Sequence, residues 1–282
     1  MTTGMPTTIF ARRAGNRSDV TQIIGIVLVR NEDRFVRQAA GNAWEFCDRL
    51  ILVDHRSEDE TPAILRELAA DRSGKASFHA VSDPCESHEL LKPFVGTDTW
   101  VFGVDGDEIY DPRGLQVFRP RLLAGEFGSR WMILGNVLHC DRLDRQKGEA
   151  SGFPSPPSRS ITKLYNFAAI DSWDGDTPER LHGGTPVFRR GFDGQGKRQL
   201  QMECPWHESP LRCLHTCFVP RSSLDQAGAS RENIMETFRG GWKARIKRLA
   251  RRLAGCREAS DWKRQRYARG ERMTVPTAPF LQ

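Results

Sequence analysis

The stretch Trp100-Val101-Phe102-Gly103-Val104-Asp105-Gly106-Asp107-Glu108 decides the fold, because an apolar run stops at once in three carboxylates. Such a run reads as a buried strand whose carboxyl end opens onto a loop, the place where open α/β sheets put their ligands. Two carboxylates one residue apart on that turn suit a single hard dication. Mg2+ and Mn2+ favour oxygen ligands shared between carboxylates and substrate phosphates. An acidic turn that only caps the next segment is the plainer alternative, since carboxylates are ordinary turn residues. The position directly after a buried strand favours the metal-diphosphate reading.

Upstream, Ile23 to Val29 is a continuous apolar run, the pattern of a parallel-type strand buried on both faces. Phe35, Val36, Ala39, Ala40 and Ala43 then recur at helical spacing. Leu50 to Val53 is the next strand, ending at Asp54, and Thr61-Pro62 opens a helix that continues through Ile64 to Ala70. Ser77 to Val81 reads as a third strand and 85–95 as a helix. Alternation of this kind implies a mainly parallel sheet covered on both faces. Neither Gly-X-Gly-X-X-Gly nor Gly-X4-Gly-Lys-Ser/Thr occurs, so phosphates must be held in another way.

Downstream, a helix is expected near 113–124 and a strand over 130–138, followed by a Pro-rich mobile loop over 148–160. Short strands are expected over 161–167 and 185–189, with a polar loop over 173–180 between them. A last strand, 214–219, contains His215.

The 282 residues suit one large α/β domain or two small ones. With 38% hydrophobic and 28% charged residues the composition is that of a soluble globular protein. No apolar run approaches the roughly 18–20 residues a membrane crossing needs. The first twenty residues carry Arg12, Arg13 and Arg17 without an apolar core, so a flexible start and a cytoplasmic location are expected. The seven cysteines are an odd number and argue against a closed disulfide framework. Cys204, His207, Cys213, His215 and Cys217 offer zinc-type ligands, but their spacing lacks a second matched pair.

The net charge of +6 is concentrated between Arg239 and Arg272, where Glu258, Asp261 and Glu271 are the only acids. Trp242, Ile246, Leu249, Ala250 and Leu253 would place an apolar stripe beneath that basic face. Contact with an anionic membrane surface, contact with nucleic acid and a docked helix with a solvated basic face all fit.

In order and spacing, Ile24 to Asn31, the Asp54-X-X-Ser57-X-Asp59-X-Thr61 segment and Asp105-Gly106-Asp107-Glu108 resemble the family 2 nucleotide-sugar glycosyltransferases of GT-A fold. The resemblance covers about 20–220 and implies a Rossmann-like, mainly parallel sheet with helices on both faces, here followed by a basic C-terminal helical segment. It implies a flexible 1–20, a nucleotide-sugar-binding half over 21–112, an acceptor-binding half over 113–222 and a basic helical extension over 223–282. It further implies metal-dependent, inverting transfer from a nucleotide-diphospho-sugar, with UDP-sugar favoured and Mn2+ or Mg2+ as cofactor. The acceptor hydroxyl would lie on a glycan, a lipid-linked sugar at the inner membrane face, a metabolite or a modified nucleic-acid base.

Carried over by position, the resemblance implies that Asp54 contacts the base and that the backbone at Val29 and Arg30 lines the same pocket. Asp105 approaches the ribose or metal, and Asp107 ligates the metal. His215 matches a late histidine ligand, although a histidine in an apolar strand also serves as a satisfied core residue. Glu179 is the first choice for general base, with Asp174 and Asp176 behind it. The family pattern often has His-Glu at this point, and this chain has Pro178-Glu179. Lys163 and Arg159 are expected on the diphosphate, because basic side chains complement phosphate oxygens. Trp131, Trp173 and Trp206 are candidates to stack on a sugar. A nucleotidyltransferase and a non-catalytic nucleic-acid-binding module are the competing classes.

Overall fold

The computed structural model describes residues 21–72, 74–174, 184–225 and 261–281. Its centre is a parallel run of strands β1 (Gln22–Val29), β2 (Arg49–His55), β3 (Ala76–Val81) and β4 (Thr99–Val104), in the order β3-β2-β1-β4. Every residue of β1 after Gln22 is buried or nearly so, and the strand alternates between two cores with the two-residue strand period. Ile23, Val27 and Val29 enter one apolar cluster, whereas Ile24, Ile26 and Leu28 enter another. A strand buried on both sides has no polar face, which is why it reads as an uninterrupted apolar run.

The first cluster is covered by helices α1 (Val36–Asn42) and α2 (Thr61–Asp71). Among the described residues the second face carries the short α3 (Glu86–Glu89) and a single 3-10 turn, Lys92–Phe94. Aromatic rings do most of the covering there: Trp131, Tyr165, Phe167 and Trp173 are buried in one cluster. Trp131 and Trp173 therefore belong to the core, and the sugar-stacking role considered for them does not match their burial.

After β4 come β5 (Glu108–Tyr110) and α4 (Pro112–Leu123), whose Asp111 cap accepts the Arg113 amide at 3.0 Å. The expected strand over 130–138 is two strands in two sheets, β6 (Met132–Leu134) and β7 (Asn136–Asp144). The switch falls at Gly135, where a Cβ would lie 2.1 Å from the Leu211 carbonyl oxygen. The expected loop over 148–160 is instead largely β8 (Glu149–Ser155). Strand β9 (Lys163–Asn166) runs antiparallel to β4 and continues the large sheet. Strands β10 (Ile170–Asp174) and β11 (Thr185–Phe188) form a separate pair, β12 (Lys197–Gln199) is the outer strand beside β6, and β13 (Arg212–His215) is shorter than the expected 214–219.

The end of the chain differs most from expectation. Helix α5 (Asp261–Tyr267) gives way to β14 (Met273–Pro276), which pairs antiparallel with residues 149–152 of β8. The second sheet therefore has the order β14-β8-β7-β13-β5, and residues 273–281 are part of the fold. Pro154 lies beyond the stretch of β8 that β14 pairs with, so its missing N–H takes no bond from that partner. Asn42 ties the tail down, donating to the Tyr110 carbonyl at 2.7 Å and the Phe280 carbonyl at 2.8 Å. The apolar stripe expected over 242–253 lies outside the described residues. No helix among the described residues is long and apolar enough to cross a membrane.

Candidate active site at the carboxyl ends of β1, β2 and β4

The loops after β1 and β2 are laced together by the polar residues of the Asp54 to Thr61 segment. Asn31 donates its amide to Ser57 Oγ at 2.8 Å, and Glu32 donates its amide to Thr61 Oγ1 at 2.8 Å. Glu58 returns a bond from its amide to Asn31 Oδ1 at 2.7 Å. Both loops carry a residue with positive φ, Asn31 at 54° and Arg56 at 53°. Asn tolerates that region and Arg does so less readily, so the lacing maintains a turn the chain alone disfavours. Ser57, Asp59 and Thr61 thus hold the shape of the two loops at this edge of the sheet.

Asp54 pairs in register with Val29, which places both at the carboxyl ends of neighbouring strands. Its Oδ2 accepts from the Ser57 amide at 3.3 Å, while Oδ1 is buried without a hydrogen-bond partner among the described residues. A buried carboxylate oxygen in that condition suits an incoming N–H donor. Arg30 follows Val29 on the same edge, partly exposed.

The acidic turn splits its carboxylates between two cations. Lys163, opposite Gly103 in the antiparallel register, reaches Asp105 Oδ2 at 2.8 Å and Glu108 Oε1 at 2.7 Å. Burial pushes the Glu108 carboxyl up to about 7 against the opposing pull of Lys163. Asp107 turns the other way, to Arg221, whose guanidinium also stands 3.2 Å from Glu32 Oε1. Burial alone would raise Asp107, yet Arg221 and then His215 outweigh it and hold the carboxyl well below its ordinary range. Gly106 is required between them, since a Cβ there would sit 2.7 Å from Val29 Cγ1.

His215 ends β13, in register with Glu108 on one side and His139 on the other. Its Nε2 lies 3.4 Å from Asp107 Oδ2, and its Nδ1 lies 2.8 Å from His139 Nδ1. Burial lowers the pKa of His215, with Asp107 opposing. The Asp107 carboxylate and the His215 imidazole that meet here are donors of the kind a hard or borderline dication accepts, while Asp105, partly exposed, is held by Lys163. The residues present therefore fit a divalent cation.

Of the residues singled out in the sequence, the structure brings together Val29, Arg30, Asp54, Asp105, Asp107, Lys163 and His215 at one edge of the fold. Of the zinc-type ligands that spacing disfavoured, Cys204, His207 and Cys213 join no three-ligand cluster among the described residues. The described residues instead bring one ligand atom each of His139, His215 and Cys217 within 4.8 Å of one another. Glu179 and Asp176 lie outside the described residues, and Asp174 ends β10. His139, Arg221 and the Lys163–Glu108 pairing carried no sequence signal of their own. Each joins chain segments far apart in the sequence, His139 and Lys163 through sheet register and Arg221 from the loop after β13.

No family model matches the chain. It is 25% identical over 196 residues to an uncharacterized glycosyltransferase of Rickettsia conorii, covering 69% of this chain and 64% of that protein. A second uncharacterized glycosyltransferase, of Rickettsia felis, is 24% identical over 190 residues, covering 67% and 62%. The chain thus spans less than two thirds of the length of these relatives. Among solved structures, a glucosyl-3-phosphoglycerate synthase of Mycobacterium tuberculosis in complex with Mn2+, uridine diphosphate and glucosyl-3-phosphoglycerate aligns at 21% identity with a TM-score of 0.27, over 42% of this chain and 43% of that one. In the order of its motifs and the Rossmann-like sheet beneath them the chain is similar to the family 2 glycosyltransferases of GT-A type, and the two curated relatives it resembles are themselves glycosyltransferases.

Proposed function

We propose that the chain is a metal-dependent, inverting glycosyltransferase that moves a sugar from a nucleotide-diphospho-sugar, UDP-linked before others, to an acceptor hydroxyl. The observation that carries this reading is the approach of His215 to Asp107 in the acidic turn after β4, at the edge where Asp54 presents a buried carboxylate oxygen with no hydrogen-bond partner among the described residues. Asp54 Oδ1 accepts from the base, and the backbone at Val29 and Arg30 forms the pocket wall. Asp107 and His215 hold Mn2+ or Mg2+, with Asp105 toward the ribose or metal. The bound cation supplies Lewis-acid stabilisation of the departing diphosphate. Lys163, already engaged by two carboxylates, keeps Asp105 oriented, and a diphosphate contact would be an added role.

Glu179 takes the acceptor proton in a single displacement, with Asp174 and Asp176 behind it as alternatives. A nucleic-acid-binding module would leave the acidic cluster without a role. Contact of the basic 239–260 segment with an anionic membrane or nucleic acid, and with it a peripheral place at the inner membrane face, belongs to the same proposal. Because β14 is part of the fold, charge-neutralising substitutions within 239–260 are the appropriate test of that contact, and deleting the end of the chain is not.

The experiment is thermal stabilisation of the full chain by nucleoside diphosphates and nucleotide-sugars, each with Mn2+, Mg2+ or chelator. Metal-dependent stabilisation by a uridine nucleotide, lost in Asp107→Asn, supports the reading. Stabilisation by none of them rejects it. Glu179→Gln should retain donor binding and lose turnover.

A further inference from the structure

His139 has no place in the proposed reaction, yet it is fully buried beside it, and its contacts dictate where one proton sits. Its Nε2 lies 2.8 Å from the Arg159 carbonyl oxygen, which can only accept. A neutral imidazole carries one N–H, so that hydrogen is on Nε2 and the His139 Nδ1 holds a lone pair. The atom facing this lone pair at 2.8 Å is His215 Nδ1, which must therefore be the donor. His215 then carries its own lone pair on Nε2, the nitrogen 3.4 Å from Asp107 Oδ2. Asp107 Oδ2 already accepts from Arg221 Nη1, but toward His215 it faces a lone pair, and two electron-pair donors so opposed are satisfied by a cation shared between them.

We propose that His139 is a positioning residue: through the chain Arg159 carbonyl, His139, His215, it holds His215 in the Nδ1–H tautomer and so presents its Nε2 lone pair to a cation shared with Asp107. The inference rests on the metal-site reading above. Two further contacts keep the chain in line. Tyr267 of α5 stacks on the His139 ring, with centroids 4.5 Å apart and planes 16° from parallel. The Arg159 amide donates to the Arg266 carbonyl at 3.1 Å, and Ser158 Oγ donates to the Tyr267 carbonyl at 3.1 Å. The carbonyl that orients His139 is thus pinned by the C-terminal helix. Ligand histidines commonly give their second nitrogen to a fixed acceptor, and here the acceptor is another histidine.

The test uses the full chain with 15N-labelled histidine, reading the His215 tautomer from side-chain 15N shifts, together with Mn2+ binding in the presence of UDP by calorimetry. The wild type should show His215 protonated on Nδ1. In His139→Leu the proton should move to Nε2 and Mn2+ affinity should fall roughly 10–100-fold. His139→Asn supplies an amide oxygen as acceptor and should restore much of both, which a purely structural role for the ring would not explain.

Protonation of His215 on Nε2 in the wild type overturns the proposal. So does a folded His139→Leu protein that binds Mn2+ as the wild type does. Stoichiometric zinc, lost in Cys217→Ser, would make both Nδ1 atoms metal ligands and also overturn it. Should the wild type bind no Mn2+ with UDP, the functional reading fails, and the tautomer measurement still decides whether the histidine chain exists. If His139→Leu does not fold, the wild-type spectrum and the Asn variant decide.

Discussion

Lys163 Nζ stands 2.7 Å from Glu108 Oε1, and the two side chains are 5% and 0% exposed. A buried ammonium beside two carboxylates is stable only while its partners remain, because each charge alone would carry its full desolvation cost. Lys163→Met should therefore destabilise the protein by roughly 3–5 kcal/mol in urea unfolding. Adding Glu108→Gln to it should recover a large part of that loss. A single variant within about 1 kcal/mol of wild type would mean that solvent screens the pair, as it does an exposed one.

Asp59 makes stability depend on acid. Burial pushes its carboxyl up, but Ser222 Oγ at 2.6 Å, together with Thr61 and the Asp33 amide, displaces it downward from 3.8 overall. A folded value below the unfolded one contributes stability that is complete above the unfolded value and is lost as pH falls through the folded one. Asp59→Asn should thus melt below wild type at neutral pH, and the gap should close below about pH 3.8. A gap that stays constant down to acid would count against this carboxylate as the linked group.

At the acidic turn, space limits the residue. A methyl on Gly106 would meet Val29 Cγ1 at 2.7 Å and Glu32 Cβ at 2.8 Å, atoms of the strand end and loop that carry the pocket wall. Gly106→Ala should cost roughly 1–3 kcal/mol and weaken nucleotide and metal binding together, because the turn must move. Unaltered melting and binding would show that the turn relaxes freely.

The tail is structural. Phe280 is 1% exposed, its ring lies 5.9 Å from that of Trp206, and its carbonyl accepts from Asn42. Phe280→Ala should cost roughly 3–5 kcal/mol, the range for emptying a buried aromatic site. A dispensable extension would tolerate the change, and chemical unfolding distinguishes the two.

Strands β1 to β4 were legible because each is a local apolar run, and burial on both faces leaves its mark within a few residues. Strand β8 was not: its Gly152, Pro154 and flanking prolines read as a loop, and its partner β14 lies over a hundred residues away. The split at Gly135 was likewise invisible, since the Leu211 carbonyl that excludes a side chain there comes from another part of the chain. Asp54, Asp105 and Asp107 could be named in advance because carboxylates at strand ends have a recognisable order. Arg221 and His139 could not, because an arginine after a proline or a histidine in an apolar strand carries no local sign of what it faces.

The sequence by itself determined the parallel core and the acidic turn at its carboxyl edge, since hydrophobic period and loop position are local properties. Tertiary structure decided how the charges are shared: Lys163 to Asp105 and Glu108, Arg221 to Asp107 and Glu32, His139 to His215. Each of these contacts acts over a few ångströms between residues distant in the chain. Sheet register, with Gly103 opposite Lys163 and His215 between Glu108 and His139, brings the lysine and histidine contacts within reach, and the loop after β13 brings Arg221 to Asp107 and Glu32.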